Sequence, residues 1–195
     1  MLAPMENIDV TVLRTLRGWR QQGRQALLAT VIRTWGSSPR PVGSIMALAD
    51  GGAVVGSVSG GCIEDDLIHR YRSDLADRAP QRVKYGVSAD EAHRFGLPCG
   101  GTLELLLEFN PDAAALDALV RQLDAGQLVE RCTEIATGRV ELHPLAEPGG
   151  LRDDGTWLCN CFGPEFRLLL IGAGQLTEYL ATMALFSGFR VTVCD

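Results

Sequence analysis

Residues 56–64, Gly-Ser-Val-Ser-Gly-Gly-Cys-Ile-Glu, set one cysteine directly behind two glycines at the start of a helix-like stretch. Glycines let the backbone turn tightly and approach a ligand closely. A helix beginning near Cys62 aims unpaired N–H groups and a positive dipole end at whatever sits in the turn. Such a turn attracts anions, and the same field favours a thiolate over a thiol. Ser59, Gly60, Gly61 and Cys62 are therefore candidates for holding a phosphate-bearing ligand with a soft or electrophilic centre. The plain alternative is that Cys62 is a small core hydrophobe, as free cysteines usually are. A core cysteine has no need of the glycines.

Two further segments have matching chemistry. Gly36-Ser-Ser-Pro-Arg-Pro-Val-Gly43 offers Arg40 as a phosphate clamp, its backbone stiffened by Pro39 and Pro41. The alternative for Arg40 is a solvated surface residue. Gly96-Leu-Pro-Cys-Gly-Gly101 puts Cys99 before Gly100 and Gly101, just ahead of a strand-like run. Cys62 and Cys99, each adjoining a Gly-Gly pair, could face one ligand; Gly100-Gly101 could equally shape only a turn. Glu64, one turn inside the helix, is as suited to capping as to touching a ligand.

The elements that must position these residues follow from pattern. Ile8, Val10, Leu13, Leu16 and Trp19 recur at near-helical spacing, with Gly23 as the stop. Ala26–Thr34 is a continuous apolar run and reads as a buried strand. Ser44–Leu48 and Ala53–Val58 read as strands joined by the hairpin signal Asp50-Gly51-Gly52. Ile63, Leu67, Ile68, Tyr71 and Leu75 have helical period, with Glu64, Asp65 and Asp66 where the dipole favours acids. Thr102–Phe109 reads as a strand, Ala113–Leu123 as a helix, and Leu128–Glu141 as two strands around Thr137-Gly138. If the strands bounding them lie side by side, loops 36–43 and 59–61 project from one sheet edge, where ligands of α/β units bind.

Residues 143–165 are rich in glycine and proline and read as linker-like. Beyond them, Arg167–Ile171 is a strand entering Gly172-Ala-Gly174, a helix follows, and Phe189–Asp195 is a second strand. Asp195 falls about 20 residues past the glycines, as a dinucleotide ribose contact requires. Thr177 stands where the third glycine of that fingerprint belongs. A lone β-α-β unit cannot bury both faces of its strands, so residues 166–195 are expected to begin a Rossmann-like domain completed by further chain or by a partner copy. An NAD(P)-dependent oxidoreductase using Gly172, Gly174 and Asp195 is the alternative function.

Composition narrows the classes. The chain has 195 residues, 46% hydrophobic and 22% charged, as in ordinary globular proteins. A net charge of −6 lacks the footprint of a nucleic-acid binder. No apolar run approaches a bilayer's thickness, and the first residues do not read as a secretory signal. A cytoplasmic protein is expected, with its six cysteines reduced. Cys159-Asn-Cys161 is expected in a loop with weak redox potential, and no second Cys/His pair sits at zinc-like spacing. No Ser-His-Asp-like set or paired-carboxylate site is apparent, which favours binding over turnover.

The strings Gly36–Gly43, Gly56–Glu64 and Cys99-Gly-Gly-Thr-Leu-Glu104, followed by the Gly172-Ala-Gly174 unit, resemble the xanthine dehydrogenase accessory (XdhC/CoxI) family in the family's order. The resemblance implies an α/β fold: a mixed α/β XdhC/CoxI domain over 1–145, a linker over 146–165, and the first β-α-β half of a Rossmann-like domain over 166–195. It implies a chaperone that binds molybdenum cofactor (a molybdopterin), assists its sulfuration, and delivers it to a xanthine dehydrogenase-type molybdoenzyme. A cysteine desulfurase is an implied partner, and a homo-oligomer an expected state. On this reading Cys62 and Cys99 are soft contacts to molybdenum, and Arg40 with the helix amides holds the phosphate.

Overall fold

The computed structural model describes residues 8–36, 38, 40–86, 102–163, 167–187 and 189–195; the side chains of Cys62, Arg167 and Arg190 lie outside the description. Among the described residues the strands form three sheets.

The first sheet is antiparallel and organised around β1 (Ala26–Trp35), the apolar run expected to be buried. Its neighbours are β2 (Ile45–Ala49) on one side and β5 (Thr102–Phe109) on the other, with β3 (Val54–Gly56) and β4 (Gln81–Tyr85) at the edges. Side chains alternate across a strand. Leu27, Ala29 and Val31 therefore join Leu103, Leu105 and Leu107 under helix α2 (Cys62–Tyr71), which supplies Ile63 and Leu67. Ala26 and Leu28 face the opposite way, beneath helices α1 (Ile8–Gln21) and α3 (Ala113–Asp124). With both faces covered, a strand needs no polar alternation, which is why β1 reads as a continuous hydrophobic run.

A second antiparallel sheet has the order β7-β6-β9-β8, formed by β6 (Leu128–Glu134), β7 (Val140–Leu145), β8 (Arg152–Asp153) and β9 (Trp157–Phe162). Here the sequence expectation is corrected. Part of the segment expected as a linker over 146–165 is sheet: β9 pairs with β6 from Val129↔Phe162 to Glu134↔Trp157, and β8 pairs with β9. The glycines and prolines belong to turns between short strands, and turn residues crowded around short strands imitate a linker. Leu158 packs with Ile32 and Leu106 of the first sheet, and Phe162 joins the cluster under α1 and α3. Pro144 sits on β7, an edge strand, where a missing N–H is tolerated.

Charged pairs also join the two sheets. Arg82 on β4 donates two bonds to Asp153 on β8, at 2.8 and 2.7 Å. Those bonds outweigh the opposing effect of burial and hold the Asp153 carboxyl below its ordinary range. Arg131 on β6 makes a bidentate pair with Glu108 on β5, 2.9 and 2.8 Å, with both side chains buried.

The last unit is β10 (Arg167–Ile171), α4 (Gln175–Phe186) and β11 (Arg190–Cys194), with the two strands parallel and paired from Arg167↔Arg190 to Ile171↔Cys194. The expected β-α-β order is present. Many of its apolar side chains are exposed, including Ile171, Leu176 and Met183. Among the described residues no helix is long and apolar enough to cross a membrane.

Candidate functional site

Strand direction decides which loops meet. β1 ends at Trp35, which pairs with Thr102 at the start of β5. β3 ends at Gly56, opposite Met46 at the start of β2, and β4 ends at Tyr85, opposite Leu103. Loops 36–44 and 57–61 therefore leave one end of the sheet together, and the chain enters β5 at that same end. The side-by-side arrangement expected of the two glycine loops is observed.

Loop 57–61 is built around Glu64. This residue is the third of α2, and its carboxylate folds back into the turn. Oε1 accepts from Ser57 Oγ at 2.7 Å and from the amides of Val58 (2.8 Å), Ser59 (2.8 Å) and Gly60 (3.0 Å). Oε2 accepts from Gly61 N at 2.9 Å and from Ser59 Oγ. Glu64 is 8% exposed. Burial by itself would raise its pKa, but the bonds from Ser59, Ser57 and Gly60 outweigh it and bring the carboxyl down to about 2.

This arrangement corrects the reading of the turn as an open phosphate cradle. The amides of Ser59, Gly60 and Gly61 do converge on an anion, as a glycine turn before a helix should make them do. The anion is the chain's own. A carboxylate three residues past the N-cap Gly61 has the spacing of a capping box, the sequence signal that points to this role.

Arg40 lies across that turn. Its Nε donates to Ser57 Oγ at 3.3 Å, and Ser38 Oγ donates to the Arg40 carbonyl at 2.9 Å. Among the described residues the guanidinium has no ion-pair partner, and the residue is exposed. A cleft of about 170 Å³ beside it is lined by Ile8, Asp9, Ser44, Ile45, Gly56 and Ser57. On the other flank of loop 36–44, a cleft of about 340 Å³ reaches the second sheet at Asn160 and Cys161. Asn160 fastens the two together: its Nδ2 donates to the Gly43 carbonyl at 3.0 Å while Gly43 N donates to the Val31 carbonyl at 2.8 Å. Gly43 has φ +94, a conformation other residues resist. Asn160→Ala is expected to remove about 1 kcal/mol of stability. It should also speed amide exchange at Gly43 and Ser44; unchanged exchange there would show that Asn160 does not hold the loop.

Cys62 is placed by its backbone as the first residue of α2; its side chain lies outside the described residues. Cys99, Gly100 and Gly101 also lie outside them. Gly172, Gly174 and Asp195 do come together. Gly172 turns at φ +97, Gly174 caps α4, and Asp195 Oδ1 accepts from Ala173 N at 3.3 Å. Thr177, standing for the third glycine, donates from Oγ1 to the Gly172 carbonyl at 2.6 Å. Among the described residues no hydrogen bond or ion pair joins this group to Arg40.

The cysteines depart most from expectation. Cys132 and Cys159 form a disulfide instead of remaining thiols, and Cys159 lies on β9 rather than in a loop. Antiparallel pairing sets the two directly opposite, with Cα atoms 4.0 Å apart across 27 residues of sequence. No local pattern could announce that pairing. Cys161 is a half-buried free thiol and Cys194 an exposed one.

Residues 19–86 match the model of the XdhC and CoxI family. Over that stretch the chain is similar to the XdhC and CoxI family. The matched span holds loop 36–44, loop 57–61, Arg40, Cys62 and Glu64. Two curated relatives are similar well beyond it. The molybdenum cofactor insertion chaperone PaoD of Escherichia coli K12 is 25% identical over 185 residues, covering 95% of this chain and 57% of that protein. A probable xanthine dehydrogenase subunit of Bacillus subtilis 168 is 27% identical over 202 residues, covering 88% of this chain and 59% of that protein. A solved structure of a xanthine dehydrogenase from Bacillus halodurans superposes with a TM-score of 0.69 at 27% identity, over 97% of this chain and 62% of that one. The chain thus spans less than two thirds of the length of these relatives. None of their names supports NAD(P) as a cofactor of this chain.

Proposed function

We propose that this chain binds molybdenum cofactor as a cargo, assists its sulfuration and inserts it into a xanthine dehydrogenase-type molybdoenzyme in the cytoplasm. The observation that carries this reading is the similarity to a molybdenum cofactor insertion chaperone over 95% of the chain. The donor set at the sheet end supports it in part. A guanidinium without an ion-pair partner among the described residues suits the cofactor's phosphate, and Arg forks bind phosphate with charge-assisted hydrogen bonds. The amides of loop 57–61 do not suit that task, because Glu64 occupies them. Arg40 is therefore assigned the phosphate. The loop's task is to hold Ser57, and through it the guanidinium, in place.

Cys62 at the head of α2 and Cys99 ahead of β5 are assigned as soft contacts to the molybdenum, with thiolate suited to that ion. A cysteine desulfurase is the proposed sulfur donor, and a homo-oligomer the proposed working state. Reversible binding without turnover suits a carrier.

Loading the purified chain with molybdopterin and measuring retained pterin tests the assignment. Arg40→Ala is expected to weaken retention about 10- to 100-fold, the effect of one charge-assisted contact of about 1.5–3 kcal/mol. Cys62→Ala combined with Cys99→Ala should abolish it. Equal retention by all three proteins would sink the site, and no retention by the unaltered chain would sink the function.

A further inference from the structure

One face of the second sheet gathers groups that no sequence spacing brings together. Residues paired in register share a face, as do alternate residues of a strand. Cys132 pairs with Cys159, and Glu130, two residues earlier, pairs with Cys161. All four therefore lie on one face. The Glu130 carboxylate and the sulfurs of Cys132 and Cys159 sit within 4.8 Å of one another. Arg152 on β8 holds that carboxylate with bonds of 2.8 and 2.9 Å from one terminal nitrogen.

One contact is idle in the disulfide form. Glu130 Oε2 lies 3.7 Å from Cys132 Sγ, yet a disulfide sulfur has no proton to give a carboxylate. Two sulfurs and a carboxylate oxygen on adjacent strands match the donors of a tetrahedral zinc site. Cys161, paired with Glu130 on the same face, is a free thiol of the right type for a fourth donor. Arg152 offsets part of the accumulated negative charge and orients the carboxylate, as outer-shell partners of metal sites do.

We propose that Glu130, Cys132, Cys159 and Cys161 form a redox-gated site for zinc(II), closed in the disulfide form and opened by a dithiol reductant. Reduction breaks the bond between Cys132 Sγ and Cys159 Sγ. Two electrons and two protons pass to the sulfurs, and the reductant leaves as its own disulfide. Zinc(II) then displaces the thiol protons into solvent and takes the thiolates and the Glu130 carboxylate as ligands. The site shares no residue with the proposed cofactor site, and neither reading depends on the other.

The test is metal analysis of the full chain after reduction with dithiothreitol, exposure to zinc(II) and desalting. The reduced chain is expected to retain about one zinc per chain, as a closed four-ligand site does. The chain reoxidised with diamide should retain none. Cys132→Ser and Cys159→Ser should each lose the ion, whereas Cys62→Ser combined with Cys99→Ser should keep it. Glu130→Gln leaves both thiols and the disulfide intact, so it reports even where a cysteine variant does not fold; its affinity should fall about tenfold or more. Three results would each overturn the proposal: zinc held equally by the oxidised chain, zinc retained by the Cys132→Ser and Cys159→Ser proteins, or no zinc on the reduced wild type. Unchanged affinity in Glu130→Gln would overturn the ligand set.

Discussion

Glu64→Gln is expected to lower stability at neutral pH by about 3 kcal/mol, which for a chain of this size is a fall of roughly 6–12 °C in Tm. The variant keeps the side chain's shape and removes its charge, so it imitates the protonated wild type. Four backbone amides and two serine hydroxyls then converge on a neutral amide, and one half of that amide is itself a donor. The magnitude follows from the carboxyl's depression from 4.5 to about 2, at about 1.4 kcal/mol per pKa unit. The sign is that of a depressed acid. Its contribution is complete above the unfolded-state value near 4.5 and is lost as the pH falls through about 2. Denaturant titrations of both proteins across that window should converge in acid. A gap that persists at the acid end would show that Glu64 acts by packing rather than by charge. Because Ser57 anchors both Glu64 and Arg40, the variant should also weaken pterin retention.

Breaking the buried pair between the sheets should have an effect at least as large. Arg131→Met leaves the Glu108 carboxylate buried with, among the described residues, only Thr133 Oγ1 donating to it, at 3.1 Å. Removing one partner of such a pair typically destabilises by about 3–5 kcal/mol, because the remaining charge has lost its compensation. Replacing both, Arg131→Met with Glu108→Leu, should recover most of that loss, since a packed apolar pair needs no desolvation of charge. Chemical denaturation of the single and double variants closes the cycle. A double variant no more stable than the worse single one would mean that the pair contributes more than mutual neutralisation.

The chain's pattern makes much of the scaffold legible. The apolar run at 26–34, the Asp50-Gly51-Gly52 hairpin and the helical period after Cys62 are local signals, and each appears where expected as β1, β2–β3 and α2. The second sheet is less legible. Trp157–Phe162 is short and lies among turn residues, and its partner β6 is more than twenty residues away. The turn before Cys62 is an anion-binding nest, as its glycines indicate, but the anion differs from the one they suggest. Choosing between a bound phosphate and Glu64 depends on where one side chain folds, and composition does not carry that.

The amino-acid sequence by itself determined the family strings and the elements of the first sheet with their two glycine loops, because these rest on φ freedom, period and short connections. Strand pairing decided that the loops meet. Only the tertiary structure decided that Glu64 fills the nest, that Cys132 faces Cys159, and that Arg131 answers Glu108. Each of these is a meeting of side chains fixed by strand register or by a fold-back into a turn. Register is a property of two strands at once, so neither strand's own residues record it.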